Sequence, residues 1–89
     1  MGLNSTATGD GSVAMGGNAQ TTGARSVAMG GNAFASGEYS ISLGLNTIAT
    51  GDASVALGQG AQASGINSTA MGGNTVASGD YSTAMGNDT

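Results

Sequence analysis

Glycine recurs every seven residues along this chain, and that spacing constrains the fold more than any other feature of the sequence. A glycine inside a helix costs about 1 kcal/mol relative to alanine, so a glycine in every heptad argues against a helical protein. A flexible linker has no reason to keep so strict an interval. The chain is therefore predicted to be an ordered repeat protein. The regular glycines are Gly2, Gly9, Gly16, Gly23, Gly30, Gly37, Gly44, Gly51, Gly58, Gly65, Gly72, Gly79 and Gly86.

The repeat unit has 14 residues, because alternate heptads differ. If Ser12 is position 1, position 2 is β-branched, position 3 is alanine except at Ser42, position 4 is methionine or leucine, and position 5 is glycine. In the second half, position 10 is alanine except at Thr21, and position 12 is glycine. Residues 1–89 are therefore expected to form one domain of about six units. Full units begin at Ser12, Ser26, Ser40, Ser54 and Ser68, and a partial one begins at Ser82.

Each half of the unit predicts a short strand followed by a tight turn. Alternating small and larger residues that end at a glycine are typical of such a strand. Position 7 holds only asparagine, glycine or aspartate, the residue types that tolerate a left-handed backbone. We therefore expect an all-β fold, a parallel β-roll or solenoid of 14-residue coils, with two short strands per coil and the glycines from Gly9 to Gly86 at the turns. Coils stacked at ~4.8 Å would give a rod on the order of 30 Å tall.

The distribution of side-chain sizes suggests which residues face inward. Positions 1, 3, 8 and 10 hold small residues, which suit the interior of a thin roll, and their buried serine hydroxyls would need backbone partners. Positions 2 and 4 would then form an outward apolar stripe. The alternative places this stripe inside each roll. The stripe consists of Val13, Met15, Val27, Met29, Ile41, Leu43, Val55, Leu57, Thr69, Met71, Thr83 and Met85.

An outward stripe of this length predicts self-association. A soluble monomer rarely leaves so much contiguous apolar surface exposed. We therefore expect an obligate homo-oligomer in which the stripes meet on a central axis. A hydrophobic ligand groove is the alternative, but the regularity of the stripe favours an assembly interface.

Seven segments repeat closely similar short motifs, namely S-V-A-M-G at 12–16 and 26–30, S-V-A-L-G at 54–58, S-T-A-M-G at 68–72 and 82–86, A-S-G-E-Y-S at 35–40 and A-S-G-D-Y-S at 77–82. These segments resemble the head repeats of YadA-like trimeric autotransporter adhesins. The resemblance implies a left-handed parallel β-roll that forms a homotrimer. It also implies an adhesive head on a bacterial cell-surface fibre, anchored in the outer membrane, that attaches to host matrix proteins such as collagen and fibronectin or mediates autoaggregation.

No stalk, neck or anchor pattern accompanies these repeats, so residues 1–89 are expected to be a head fragment. Any membrane attachment would then come through other parts of the parent chain. Two other functions stay open. The roll could be a structural shaft segment of a phage or other tail fibre. It could also be an ice-binding solenoid, although the uneven residues at position 9 do not make a flat threonine array.

Composition limits the remaining chemistry. The chain has no histidine or cysteine, and Arg25 is its one cation against five acidic residues, so no catalytic residue, no cofactor or metal and no nucleic-acid partner is expected. Four acids stand at position 13, namely Asp10, Glu38, Asp52 and Asp80. They could form a calcium-binding row, but aspartate bonded to its own turn backbone is the favoured interpretation.

The exposed large residues are the candidates for ligand binding. Phe34 and Ile48 both occupy position 9 in adjacent coils, so they should touch on the face opposite the stripe. Arg25 and Tyr39 both occupy position 14, also in adjacent coils, and are predicted to form a cation–π pair. Phe34, Tyr39 and Ile48 are therefore a candidate ligand patch, with local packing between coils as the alternative.

Overall fold

The chain is wound into a stack of parallel coils in the computed structural model, which describes residues 5–88. The elements within this range are all strands, two per coil, and this confirms the predicted all-β solenoid with a 14-residue period. In chain order they are β1 (Thr6–Ala7), β2 (Val13–Met15), β3 (Gln20–Thr21), β4 (Val27–Met29), β5 (Phe34–Ala35), β6 (Ile41–Leu45), β7 (Ile48–Ala49), β8 (Val55–Gln59), β9 (Gln62–Ala63), β10 (Thr69–Gly73), β11 (Val76–Ala77) and β12 (Thr83–Asn87).

The strands form two parallel sheets, one on each side of the roll. The long sheet contains the even-numbered strands in the order β12-β10-β8-β6-β4-β2, and the short sheet contains the odd-numbered strands in the order β1-β3-β5-β7-β9-β11. Every pair is in register by one repeat, for example Val27 with Ile41 and Phe34 with Ile48. Equivalent positions therefore form continuous rows along a stack whose extents are 30 × 20 × 10 Å.

The core of the roll consists of small side chains, as predicted. The buried apolar residues are alanines, and serines and threonines account for the buried polar ones. The two sheets are joined by short corners that hold them close together, so the interior has no room for larger side chains. The alternative that placed the valine and methionine stripe inside the roll is therefore wrong. The buried alanines are Ala14, Ala19, Ala28, Ala33, Ala35, Ala49, Ala56, Ala61, Ala63, Ala70, Ala77 and Ala84.

Most of the buried hydroxyls are satisfied within their own coil. The Oγ atoms of Ser26, Ser40 and Ser68 each donate to the carbonyl of the glycine three residues earlier at 2.7 Å. Ser42, which replaces alanine at position 3, donates to the Thr47 hydroxyl at 2.7 Å. Thr47 at position 8 thus supplies the hydrogen-bond partner for the serine that replaces alanine in this coil. The exceptions among residues 5–88 are the hydroxyls of Thr21, Ser54, Thr75 and Ser82, which make no hydrogen bond.

Each coil turns at two left-handed corners. The corner at position 7 was predicted, and Asn18, Asn32, Asn46 and Asn74 have φ between 54° and 63° there. The corner at position 14 was not predicted from its residue types. Its members are Gly11, Arg25, Tyr39, Ala53, Asn67 and Tyr81, with φ between 56° and 66°.

Hydrogen bonds between coils hold the backbone at both corners. At position 14 the Ala53 N–H donates to the Glu38 carbonyl of the preceding coil at 2.7 Å. At position 7 the Asn46 N–H donates to the Gly31 carbonyl at 2.8 Å. The backbone ladder therefore continues around the corners as well as along the strands, which offsets the cost of the left-handed conformation.

The regular glycines fall into two structural classes. Glycines at position 5 have φ between 114° and 123°, and Gly44 and Gly58 lie inside the long strands β6 and β8 rather than beyond them. Glycines at position 12, such as Gly37, precede the second corner, and a Cβ atom there would overlap the backbone of the next coil. Glycine is therefore required at position 5 by backbone conformation as well as by close coil packing, and at position 12 by close coil packing alone.

Candidate functional site

The apolar stripe lies on the outer face of the long sheet. Val13, Met15 and Met29 are 42%, 37% and 39% exposed, whereas the alanines between them along the strands are buried. Strand pairing in register places valine beside valine and methionine beside methionine in β2 and β4. The side chains at positions 2 and 4 therefore form an apolar surface that runs along the stack, with threonine replacing the aliphatic residue of position 2 in β10 and β12.

The stripe carries no ionisable group at any of its twelve positions. Its central members, Ile41, Leu43, Val55 and Leu57, are half-buried by their neighbours in adjacent coils. Leu45, the last residue of β6, is 47% exposed. This face can hold apolar partners, and no group on it is suited to acid–base chemistry or to metal binding.

The opposite face, formed by the short sheet, is polar except at its centre. Phe34 and Ile48 pair directly across β5 and β7 and are half-buried, because each covers the other. Gln20 and Gln62 flank them in the same row. A surface depression with a volume of about 450 Å³ lies at this point, lined by Asn18, Gln20, Asn32, Ala33, Phe34 and Ile48.

Tyr39 lies at the position-14 corner and not in the lining of this depression. The Arg25 guanidinium carbon is 5.5 Å from the centre of the Tyr39 ring, and this confirms the predicted cation–π pair. The same guanidinium also donates a hydrogen bond to the Tyr39 hydroxyl. Of the candidate ligand patch, the structure thus brings Phe34 and Ile48 together and engages Tyr39 with Arg25.

Two of the acids at position 13 accept hydrogen bonds from the neighbouring coil. The Asp52 carboxylate accepts from the Glu38 backbone N–H, and the Asp80 carboxylate accepts from the Ile66 N–H, each at 3.1 Å. The prediction that these aspartates bond their own turn backbone is wrong, because the stacking brings the N–H of the preceding coil within reach. Within residues 5–88, the acids form no cluster of three that could hold a metal ion.

Two asparagines of the position-7 row form a side-chain hydrogen bond between adjacent coils. The Asn32 amide donates to the Asn46 side-chain carbonyl oxygen at 3.2 Å, which links the side chains of two adjacent coils. Asn32 also lines the depression beside Phe34. The hydrogen bond to Asn46 therefore orients the Asn32 amide at the border of the candidate patch.

These observations define a class of protein: a thin repetitive scaffold that presents one apolar face and one polar face. The family described as YadA head domain repeat matches the chain along its whole length, and the chain belongs to this family. The matched segments are residues 1–19, 7–33, 22–47, 35–61 and 63–89.

The family is one of structural adhesin domains, not known as enzymes, and it indicates a head of a trimeric autotransporter adhesin. The comparison with curated proteins found no match. Between residues 5 and 88 there is no helix of the length and apolarity needed to cross a membrane.

Proposed function

We propose that this chain is an adhesive head segment of a homotrimeric bacterial cell-surface fibre, which attaches to host matrix proteins such as collagen and fibronectin or mediates autoaggregation. Membership of the YadA head family supports the trimeric adhesin. The observation that carries the proposal is the uncharged apolar stripe on the outer face of the long sheet.

The homotrimer would form through this stripe. Burying one large apolar side chain contributes roughly 1.5–3 kcal/mol, so the ten partly exposed valine, isoleucine, leucine and methionine side chains of the stripe strongly favour association. The alanine core contributes much less per residue, because the alanine side chain is a single methyl group. Most of the large apolar surface of this protein would thus be buried between subunits rather than inside one chain.

Closed rotational symmetry explains why three stripes would meet on one axis. The rows at positions 2 and 4 run along the stack, so subunits related by an axis parallel to the stack bring equivalent coils to the same height. The short sheets then face outward, and their variable residues are the ones presented to a host surface or to another cell.

Adhesion is tested by displaying residues 1–89 on beads and on the surface of a non-adherent bacterium. We expect beads to bind immobilised collagen or fibronectin above the level of an albumin coating, or displaying cells to aggregate and settle. Light scattering on the purified chain, run in parallel, is expected to give the mass of three chains. A trimer that neither binds these coatings nor aggregates cells would contradict the adhesive role, and a monomer would contradict the assembly.

A further inference from the structure

The depression on the short sheet combines an aromatic ring with side-chain amides. Phe34 and Ile48 supply its apolar floor, and Asn18, Gln20 and Asn32 border it. Its volume of about 450 Å³ lies within the usual range for small-ligand sites, which is about 300–1,000 Å³. An apolar surface with a few convergent polar groups is also the usual composition of such sites.

The amides beside the ring have hydrogen-bonding capacity to spare. Asn32 uses one donor on Asn46, which leaves its carbonyl oxygen and its second N–H. The side chains of Asn18 and Gln20 are exposed and make no hydrogen bond to other residues within 5–88. Each amide both donates and accepts, so the three together suit a ligand whose own groups do both, as hydroxyl groups do.

Charged groups lie away from this depression. None of the lining residues is ionisable. The acids Asp10, Glu38, Asp52 and Asp80 follow the short strands at position 13, whereas the depression lies at the start of those strands, between positions 7 and 9. Arg25 is engaged with Tyr39 at the far corner. A site with no charge of its own has no means of neutralising a charged ligand, so the ligand it favours is neutral.

We infer that this depression is a binding subsite for a neutral saccharide. A pyranose ring has one face of C–H groups that can pack on the Phe34 ring and Ile48, and hydroxyl groups at its rim that can bond the amides of Asn18, Gln20 and Asn32. The inference rests on the proposed function in one respect, because a trimer that forms through the long sheet leaves the short sheet facing outward. Three such subsites on one head would then bind clustered glycans with avidity.

The chain offers a matched pair of variants for the test. Position 9 holds Phe34 in one coil and the exposed Val76 in another, and Thr6 shows that threonine is accommodated at this position of the repeat. Phe34→Thr removes the proposed stacking surface, whereas Val76→Thr makes the same kind of change outside the depression. Gln20→Val removes one amide and keeps a strand-forming residue.

Saturation-transfer NMR measures saccharide binding by the intact 89-residue protein. The probes are galactose, glucose, mannose, fucose, N-acetylglucosamine, N-acetylgalactosamine and lactose, with 3′-sialyllactose as the charged counterpart of lactose. We expect at least one neutral sugar to receive saturation on its ring C–H protons. Phe34→Thr should weaken that binding by about tenfold, because the apolar contact with the ring is lost, and Gln20→Val should weaken it several-fold. Val76→Thr should leave it unchanged.

The saccharide proposal and the adhesin proposal fail in different ways. If none of the neutral sugars binds, or if Phe34→Thr and Val76→Thr weaken binding equally, the saccharide site is overturned. Binding of 3′-sialyllactose in preference to lactose overturns its neutral specificity. A Phe34-dependent interaction with a collagen-like triple-helical peptide, without sugar binding, also overturns it, although adhesion would then be supported. If light scattering shows the purified chain to be a monomer, the proposed trimer is contradicted, but the saccharide site is not.

Discussion

At the scale of the residue, two glycine rows that look alike in the sequence share one physical constraint and differ in a second. Gly16 and its equivalents at position 5 have φ near 120°, a conformation that side-chain-bearing residues rarely adopt. Gly37 at position 12 has no such backbone constraint. A Cβ at Gly16 or at Gly37 would overlap the backbone of the next coil, so close coil packing acts on both rows. The heptad interval predicted that glycine is needed in both rows, and only the coordinates of neighbouring coils separate the two reasons.

Gly37→Ala should destabilise the roll through steric overlap alone. Its new Cβ would lie 2.5 Å from the Gly51 carbonyl carbon and 2.9 Å from the Thr50 oxygen, and both are backbone atoms that cannot rotate away. We expect the free energy of unfolding to fall by about 1–3 kcal/mol, as overpacking usually costs. Urea or thermal unfolding at matched protein concentration measures the change.

Gly17→Ala is the matched control, because Gly17 lies outside the seven-residue lattice and a Cβ there meets nothing within 4 Å. Its effect should be neutral or slightly stabilising, by up to about 1 kcal/mol, since alanine reduces the freedom of the unfolded chain. Equal losses at Gly17 and Gly37 would show that tight coil packing does not explain the position-12 row.

At the scale of the element, the coil was largely predictable and its second corner was not. Period-2 alternation and the glycine interval predicted two short strands per coil, and a repeat of constant length predicts parallel pairing in register. Asparagine identified the position-7 corner, because few residue types tolerate its backbone. At position 14 the chain has Arg25, Tyr39 and Ala53 among others, so residue type gave no signal for the same conformation.

The candidate patch shows the same division between what the repeat predicts and what it does not. Adjacent coils carry Phe34 and Ile48 at one position, so their contact followed from register. The depression beside them also depends on Asn18 and Asn32, which the sequence marked only as corner residues. How far a corner side chain leans over the neighbouring strand is a matter of side-chain conformation, which a position in a repeat does not determine.

Ala53→Gly should stabilise the coil by relieving the backbone strain of alanine at the position-14 corner. Ala53 has φ 58°, and alanine in the left-handed region costs roughly 1–2 kcal/mol, from which the extra freedom of glycine in the unfolded chain subtracts about 0.4–1 kcal/mol. We expect a net gain of about 0.5–1 kcal/mol in the free energy of unfolding. Gly11 occupies the same position with φ 66°, so glycine fits this corner.

The comparison for this variant is Ala24→Gly, one position earlier in the corner, where φ is not positive. There the freedom of the unfolded chain is the main change, so stability should fall by about 0.4–1 kcal/mol. Chemical unfolding of both variants measures the change in the free energy of unfolding, which should be a gain for Ala53→Gly and a loss for Ala24→Gly. If both variants lose stability, the position-14 corner stores no relievable strain.

At the scale of the whole molecule, the roll is too thin to hide its own large side chains. Its smallest extent is 10 Å, and alanine, serine and threonine fill the interior. The few large apolar residues are therefore concentrated on outer surfaces, most of them on the long sheet. A sequence that is poor in large apolar residues can form an ordered protein in this way, if subunit association buries the stripe that each chain leaves open.

Val27→Asp and Met29→Asp should each break the proposed trimer. Both side chains lie in the apolar stripe on β4, and a carboxylate there would be buried without a partner at the subunit interface, at a cost of several kcal/mol. We expect light scattering to give a smaller mass than wild type at micromolar concentration, with adhesion reduced in proportion. Val76→Asp makes the same substitution on the outward face of the short sheet, where Val76 is 49% exposed, and should keep the trimer. A trimer that tolerates both stripe variants would place the interface on another face of the roll.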